Sequence, residues 1–150
     1  NFLLKKISSK IERYICNKTE YSVIHGDCQF SNTLCDKDQN IYFIDPRGYY
    51  GNSSIYGLKE YDYAKVLYAL SGYDKFNNDN LYFIEKYENN HLTLNINNNM
   101  EKFKHIFEKY TDFNIIKNLV VINWLGLTQY NQNNILKCIS SYYYALYLFS

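Results

Sequence analysis

Apolar and polar residues alternate along the chain with two different periods. Phe2, Leu3, Leu4, Ile7, Ile11, Tyr14 and Ile15 recur at helical spacing, with Lys5, Lys6, Lys10, Glu12 and Arg13 on the other side. That pattern predicts an amphipathic helix ending near Asn17 and Lys18. Short extended runs follow. Residues 21–24 read as a strand entering a loop, and Thr33-Leu34-Cys35 as an apolar beat. Asp36-Lys37-Asp38-Gln39-Asn40 then reads as a polar turn, and residues 41–44 as a strand entering a second loop. A hairpin of this kind brings its two outer loops to one end.

The helical period returns at Glu60-Tyr61-Asp62-Tyr63-Ala64-Lys65 and runs through Val66, Leu67, Ala69 and Leu70 to Gly72. Residues 81–87 are expected to form a short helix, 91–96 a strand, and 100–110 a helix with Phe103, Ile106, Phe107 and Tyr110 on one face. Thr111-Asp112 marks a break before two further helices over 115–130 and 134–149. Trp124 and Tyr142-Tyr143-Tyr144 read as core rather than as a stacking platform, and His91 and His105 receive no role. The fold class is therefore α+β, mainly helical with small β-hairpins.

Composition narrows the function classes. The 150 residues suit one domain or part of one. A formal net charge of +1 without a Lys/Arg run gives no basic footprint for nucleic acid. No apolar run reaches the roughly 20 residues of a membrane span, and no secretory signal is present. Cys16, Cys28, Cys35 and Cys138 form no Cys-x-x-Cys pair and have no His at zinc spacing, so reduced, partly buried thiols in a cytoplasmic protein are expected. Asn-rich stretches such as Asn77-Asn78-Asp79-Asn80 and Asn97-Asn98-Asn99 read as loop filler.

The chemistry gathers at His25-Gly26-Asp27-Cys28-Gln29-Phe30-Ser31-Asn32 and at Asp45-Pro46-Arg47-Gly48. The hairpin should bring Asp27, Asn32 and Asp45 into one small volume. Two carboxylates and an amide oxygen, without a His or thiolate pair, suit magnesium, which keeps phosphate oxygens as its other ligands.

The order of these groups, an Asp, an Asn five residues on, and an Asp opening the next loop, is that of the protein-kinase catalytic and metal loops. With Gly26 in the second position the stretch resembles the aminoglycoside phosphotransferase and choline kinase family, whose loop reads H-G-D-x-x-x-x-N. The resemblance covers roughly residues 22–76. It implies a protein-kinase-like fold whose small hairpins carry the catalytic and metal loops. It further implies an ATP-dependent transfer of phosphate to a hydroxyl of a small molecule, a sugar, amino alcohol or related metabolite. In that pattern Asp27 accepts the substrate hydroxyl proton, and Asn32 and Asp45 hold the magnesium that bridges the phosphates of ATP or another nucleoside triphosphate. His25 braces the loop through backbone, Phe30 packs beneath it, and Asp62 bonds back to the loop rather than serving as a plain helix cap. Arg47 has two roles open to it: contact with a phosphate or anionic substrate, or pairing with a nearby carboxylate. The segment from Tyr49 to Gly57 takes the place of an activation segment bordering the acceptor site.

A kinase fold also needs a lobe carrying a phosphate-covering loop and a strand lysine. Only Asn1 to Tyr21 precede the loop, so the resemblance implies a C-terminal lobe over 1–150, a fragment of a longer chain whose missing N-terminal lobe is its partner and which alone is inactive. The rival from another class is a non-catalytic kinase-like binding or regulatory module, fused to another enzyme domain. A protein kinase is disfavoured by Gly26 and by the lack of an Ala-Pro-Glu element.

Overall fold

A computed structural model of the chain describes residues 2–17, 21–78, 84–88, 91–94 and 100–150. Helix α1 (Phe2–Cys16) opens the chain, with Ile7 and Ile11 buried on its inner face. Strand β1 (Ser22–Val23) leads into the first loop, and a single 3₁₀ turn at Phe30–Asn32 leads out of it. Strands β2 (Thr33–Cys35) and β3 (Ile41–Phe43) pair antiparallel, with Thr33 opposite Phe43 and Cys35 opposite Ile41. Their turn is closed by Asp36, whose carboxylate accepts from the backbone amides of Asp38 and Asn40 at 2.9 Å each and from the Asn40 side chain at 2.9 Å. Those bonds, led by that from the Asn40 side chain, hold the Asp36 carboxyl below its ordinary pKa.

Strand β4 (Tyr56–Gly57) returns to pair with β1, Ser22 opposite Gly57 and Val23 opposite Tyr56. Strand β4 falls within residues 49–57, a segment expected to be loop throughout. Two-residue strands carry no periodicity to read.

Helix α2 (Lys59–Leu70) and the short α3 (Tyr73–Asn78) come next. The asparagine-rich stretch at Asn77 is thus partly helical. Strands β5 (Ile84–Glu88) and β6 (His91–Leu94) form an antiparallel hairpin. Here the expected helix over 81–87 is corrected: where the chain is described it is extended, because a partner strand supplies the ladder that a five-residue run cannot find within itself. Residues 81–83 and 95–99 lie outside the described residues. Helices α4 (Met100–Phe107), α5 (Phe113–Tyr130) and α6 (Ile135–Phe149) complete the chain. Asp112 caps α5 by accepting from the Asn114 amide, and Asn134 caps α6 by accepting from the Lys137 amide.

The core sits where α5 packs against α6 and α2, with α1 laid across α5. Trp124 is fully buried at its centre, ringed edge-on by Tyr68, Phe76 and Tyr144, and its indole N–H donates to Ser71 Oγ at 2.9 Å. Of the tyrosine run only Tyr144 is core, since Tyr142 and Tyr143 are exposed on the outer face of α6. Glu60, fully buried at the start of α2, accepts from Tyr14 at 2.8 Å and Thr111 at 3.3 Å, which ties α2 to α1 and to the start of α5. Strands β1, β2 and β3 contribute little to this core: Val23, Leu34, Ile41, Tyr42 and Phe43 are all half-exposed. An isolated two-stranded hairpin is marginal at best, so β2 and β3 depend on what holds their outer loops to the helices. Among the described residues no helix is long and apolar enough to cross a membrane.

Candidate active site

The two loops at the open end of the β2–β3 hairpin are stitched together through backbone. Ile44 donates to the Asn32 carbonyl at 3.0 Å, one residue beyond the ladder on each strand, so Asn32 lies opposite Ile44 and Asp45 follows one residue later. Arg47 donates to the His25 carbonyl at 2.9 Å. The His25 ring joins the same loops: its Nδ1 accepts from the Asp27 amide at 3.2 Å, which leaves the proton on Nε2 to bond the Ile44 carbonyl at 3.0 Å. Gly26 has φ +79°, and a Cβ there would stand 3.0 Å from the Arg47 Cβ, so this crossing requires glycine.

Asp27 and Asn32 are in direct contact. The Asn32 amide donates to the Asp27 carbonyl at 2.9 Å and to its carboxylate Oδ2 at 3.2 Å. With its nitrogen so engaged, Asn32 has its side-chain oxygen left as an acceptor, with no donor to it among the described residues. Asp45 follows at φ +56°, a left-handed conformation that aspartate tolerates better than most residues, and its side chain is exposed. Among the described residues, no group of three or more His, Cys, Asp or Glu side chains is placed to hold a metal ion. The donors that the resemblance assigns to a metal are fewer and harder: the amide oxygen of Asn32 and the carboxylate of Asp45. That donor set fits magnesium, which takes most of its ligands from phosphate and water.

Helix α2 grips the first loop from the other side. Asp62 accepts from the His25 amide through Oδ2 and from the Gly26 amide through Oδ1, each at 2.8 Å. The α2 N-cap position belongs to Leu58, so the Asp62 carboxylate serves the loop and not its own helix. Cys28 is buried beside it and its thiol donates to the Asp62 carbonyl at 3.2 Å. Burial, with the Asp62 charge adding to it, pushes the Cys28 thiol up from its ordinary 9.0 to about 12. Phe30, expected beneath the loop, is instead half-exposed, and Cys28 fills that inner position.

Lys65 enters the sequence pattern only as part of the helix that opens at Glu60. Its ammonium stands 2.9 Å from Asp27 Oδ1, and its side chain is only 11% exposed against 31% for Asp27. The sequence carries a signal for it: Lys65 sits among the apolar Ala64, Val66 and Leu67, and a cation drawn into a buried helix face requires an anion opposite. Arg47, by contrast, pairs with no carboxylate among the described residues. Its guanidinium donates to Tyr61 Oη at 3.0 Å and to Tyr49 Oη at 3.5 Å, and lies over the Tyr49 ring.

Asp27, Asp45, Arg47 and Lys65 line one cleft of about 750 Å³. Tyr68, Tyr73 and Asn77 form one side, and Asn123, Tyr130 and Asn131 at the C-terminal end of α5 form another. Comparison of the chain with family models, with curated proteins and with solved structures finds no match.

Proposed function

We propose that the chain is the catalytic lobe of a phosphotransferase, kinase-like in its C-terminal half, which moves the terminal phosphoryl group of ATP or a related nucleotide to a hydroxyl of a small molecule. The observation that carries this reading is the joining of the Asp27, Asn32 and Asp45 loops at one end of the β2–β3 hairpin, with Asp27 facing an open cleft.

Phosphoryl transfer asks for positioning and charge stabilisation more than for covalent chemistry. The acceptor hydroxyl, seated in the cleft, passes its proton to the Asp27 carboxylate as its oxygen bonds to phosphorus. His25 and Asp62 keep the loop backbone in place for that contact. Asn32 and Asp45 would hold magnesium, which when bound neutralises the nucleotide phosphates. Arg47, held by two phenols and unpaired with any carboxylate among the described residues, is available to a phosphate or an anionic substituent. The amides and phenols of Asn77, Asn123, Asn131, Tyr73 and Tyr130 both donate and accept hydrogen bonds, which suits a sugar, an amino alcohol or a related polyhydroxy metabolite. The half-exposed apolar side chains of β1, β2 and β3 offer a face to an N-terminal lobe of the same protein. An ATP donor and free thiols suit the reducing cytoplasm.

Binding of Mg·ATP and its hydrolysis by the full-length protein test this reading. The wild type is expected to bind and turn over, and Asp27→Asn to keep nucleotide affinity while losing roughly 10²-fold or more in rate. Asp45→Ala is expected to lose nucleotide binding. A full-length wild type that neither binds nor hydrolyses the nucleotide overturns the proposal in favour of a non-catalytic binding module.

A further inference from the structure

We propose that Lys65 is a positioning residue for the transfer, orienting the Asp27 carboxylate and offsetting its charge so that an anionic phosphoryl group can approach; this rests on the phosphotransferase reading of the site. The two oxygens of Asp27 have different surroundings. Oδ1 is turned to the Lys65 ammonium at 2.9 Å, whereas among the described residues Oδ2 meets only neutral amides, Asn32 at 3.2 Å and Gln29 at 3.5 Å. The carboxylate therefore has a charge-paired end and an end held by neutral amides alone, and the second, Oδ2, is the proton acceptor.

The position of Lys65 argues against mere filling of space. It lies on the buried side of α2 among Ala64, Leu67 and Tyr68, where an aliphatic side chain would pack without the cost of desolvating an ammonium. The Tyr61 and Tyr68 rings, with centroids 5.9 Å and 5.5 Å from Nζ, favour a cation there. Lys65 also lines the cleft beside Asp27. A bare carboxylate and a nucleotide phosphate repel each other at the close range that transfer demands, and an ammonium fixed to the carboxylate removes most of that repulsion. In the step itself the acceptor oxygen bonds to the γ-phosphorus, and the bond from that phosphorus to the β,γ-bridging oxygen breaks. The electron pair leaves with the nucleoside diphosphate, and the hydroxyl proton passes to Asp27 Oδ2. Lys65 gives up no proton and acts only through Asp27.

The test uses the full-length protein with Mg·ATP as probe and water as acceptor, reading ADP release, nucleotide binding and thermal melting. Lys65→Met is expected to lower kcat about tenfold or more with KM for Mg·ATP little changed, and Lys65→Arg to recover most of that loss. The double variant Asp27→Asn with Lys65→Met should fall no further than Asp27→Asn alone, since one residue acts through the other. Lys65→Gln serves as a second uncharged variant should the methionine variant fail to fold. A kcat for the uncharged variants equal to wild type, or losses that multiply in the double variant, overturns the proposal while leaving the phosphotransferase reading intact. So does a failure of both uncharged variants to fold where Asp27→Asn folds, which would make the pair purely structural. A wild type inactive toward Mg·ATP overturns the phosphotransferase reading and this inference together.

Discussion

Asp62 and Lys65 stand about one turn apart on α2 and hold two different parts of the same loop. Asp62 takes the backbone amides of His25 and Gly26, and Lys65 takes the side chain of Asp27. A single helix face thus sets both the path of the loop and the direction of its carboxylate. Because α2 is itself locked to α1 and α5 through Glu60 and the core, the loop inherits the rigidity of the helical body.

Replacing Asp62 should therefore be costly. Asp62→Ala leaves the amides of His25 and Gly26 without their carboxylate, a loss of about 3 kcal/mol. In a domain of this size that corresponds to a fall in melting temperature of about 6–12 °C. Asp62→Asn retains an oxygen for one amide but turns an NH₂ group toward the other, so its loss should be nearly as large. Calorimetric melting of both variants checks this, and a melting temperature equal to wild type would refute the clamp.

Gly26 and Gly48 separate backbone strain from steric crowding. Both have left-handed φ, +79° and +75°, but a Cβ at Gly48 meets nothing within 4 Å, whereas one at Gly26 meets Arg47 Cβ at 3.0 Å. Gly48→Ala should cost about 1 kcal/mol for the backbone alone. Gly26→Ala should cost about 1 kcal/mol more, because Arg47 is tied by its own amide to His25 and cannot withdraw freely. Urea denaturation of the two variants measures the difference directly, and equal losses would mean the loops are free to part.

Cys28 gives the fold a definite alkaline limit. Its thiol titrates near 9.0 when unfolded and at about 12 when folded. Between those values the folded state holds the extra proton, so stability is fully present below pH 9 and falls as the pH rises toward 12. Cys28→Ala should flatten the decline in stability measured by denaturation between pH 8 and pH 10.5. In thiol titration of the native protein, exposed Cys16 and Cys35 should react first and Cys28 only on unfolding. Native-state reactivity of Cys28 matching that of Cys35 would contradict this placement.

How far the elements were legible follows from the range of the interactions that form them. The helices over Phe2–Cys16, Phe113–Tyr130 and Ile135–Phe149 have long apolar stripes, and they appear close to where those stripes begin and end. Ile84–Glu88 is too short for its spacing to distinguish helix from strand, and pairing with His91–Leu94 settles it. The β1–β4 pairing joins Val23 to Tyr56 across more than thirty residues and leaves no local trace.

The same distinction runs through the candidate site. The amino-acid order by itself determined the α+β character, the β2–β3 hairpin and the nearness of Asp27 to Asn32, because each depends on contacts within a few residues or across one tight turn. Only the tertiary structure decided that Lys65 faces Asp27, that Arg47 rests on tyrosines and that Cys28 lies inward while Phe30 turns out. Each of these joins residues on different elements, or depends on which side of a loop is covered, and so follows from where α2 comes to rest. That resting place is set by the collective packing of α2 against α5 around Trp124, which no local stretch of sequence encodes.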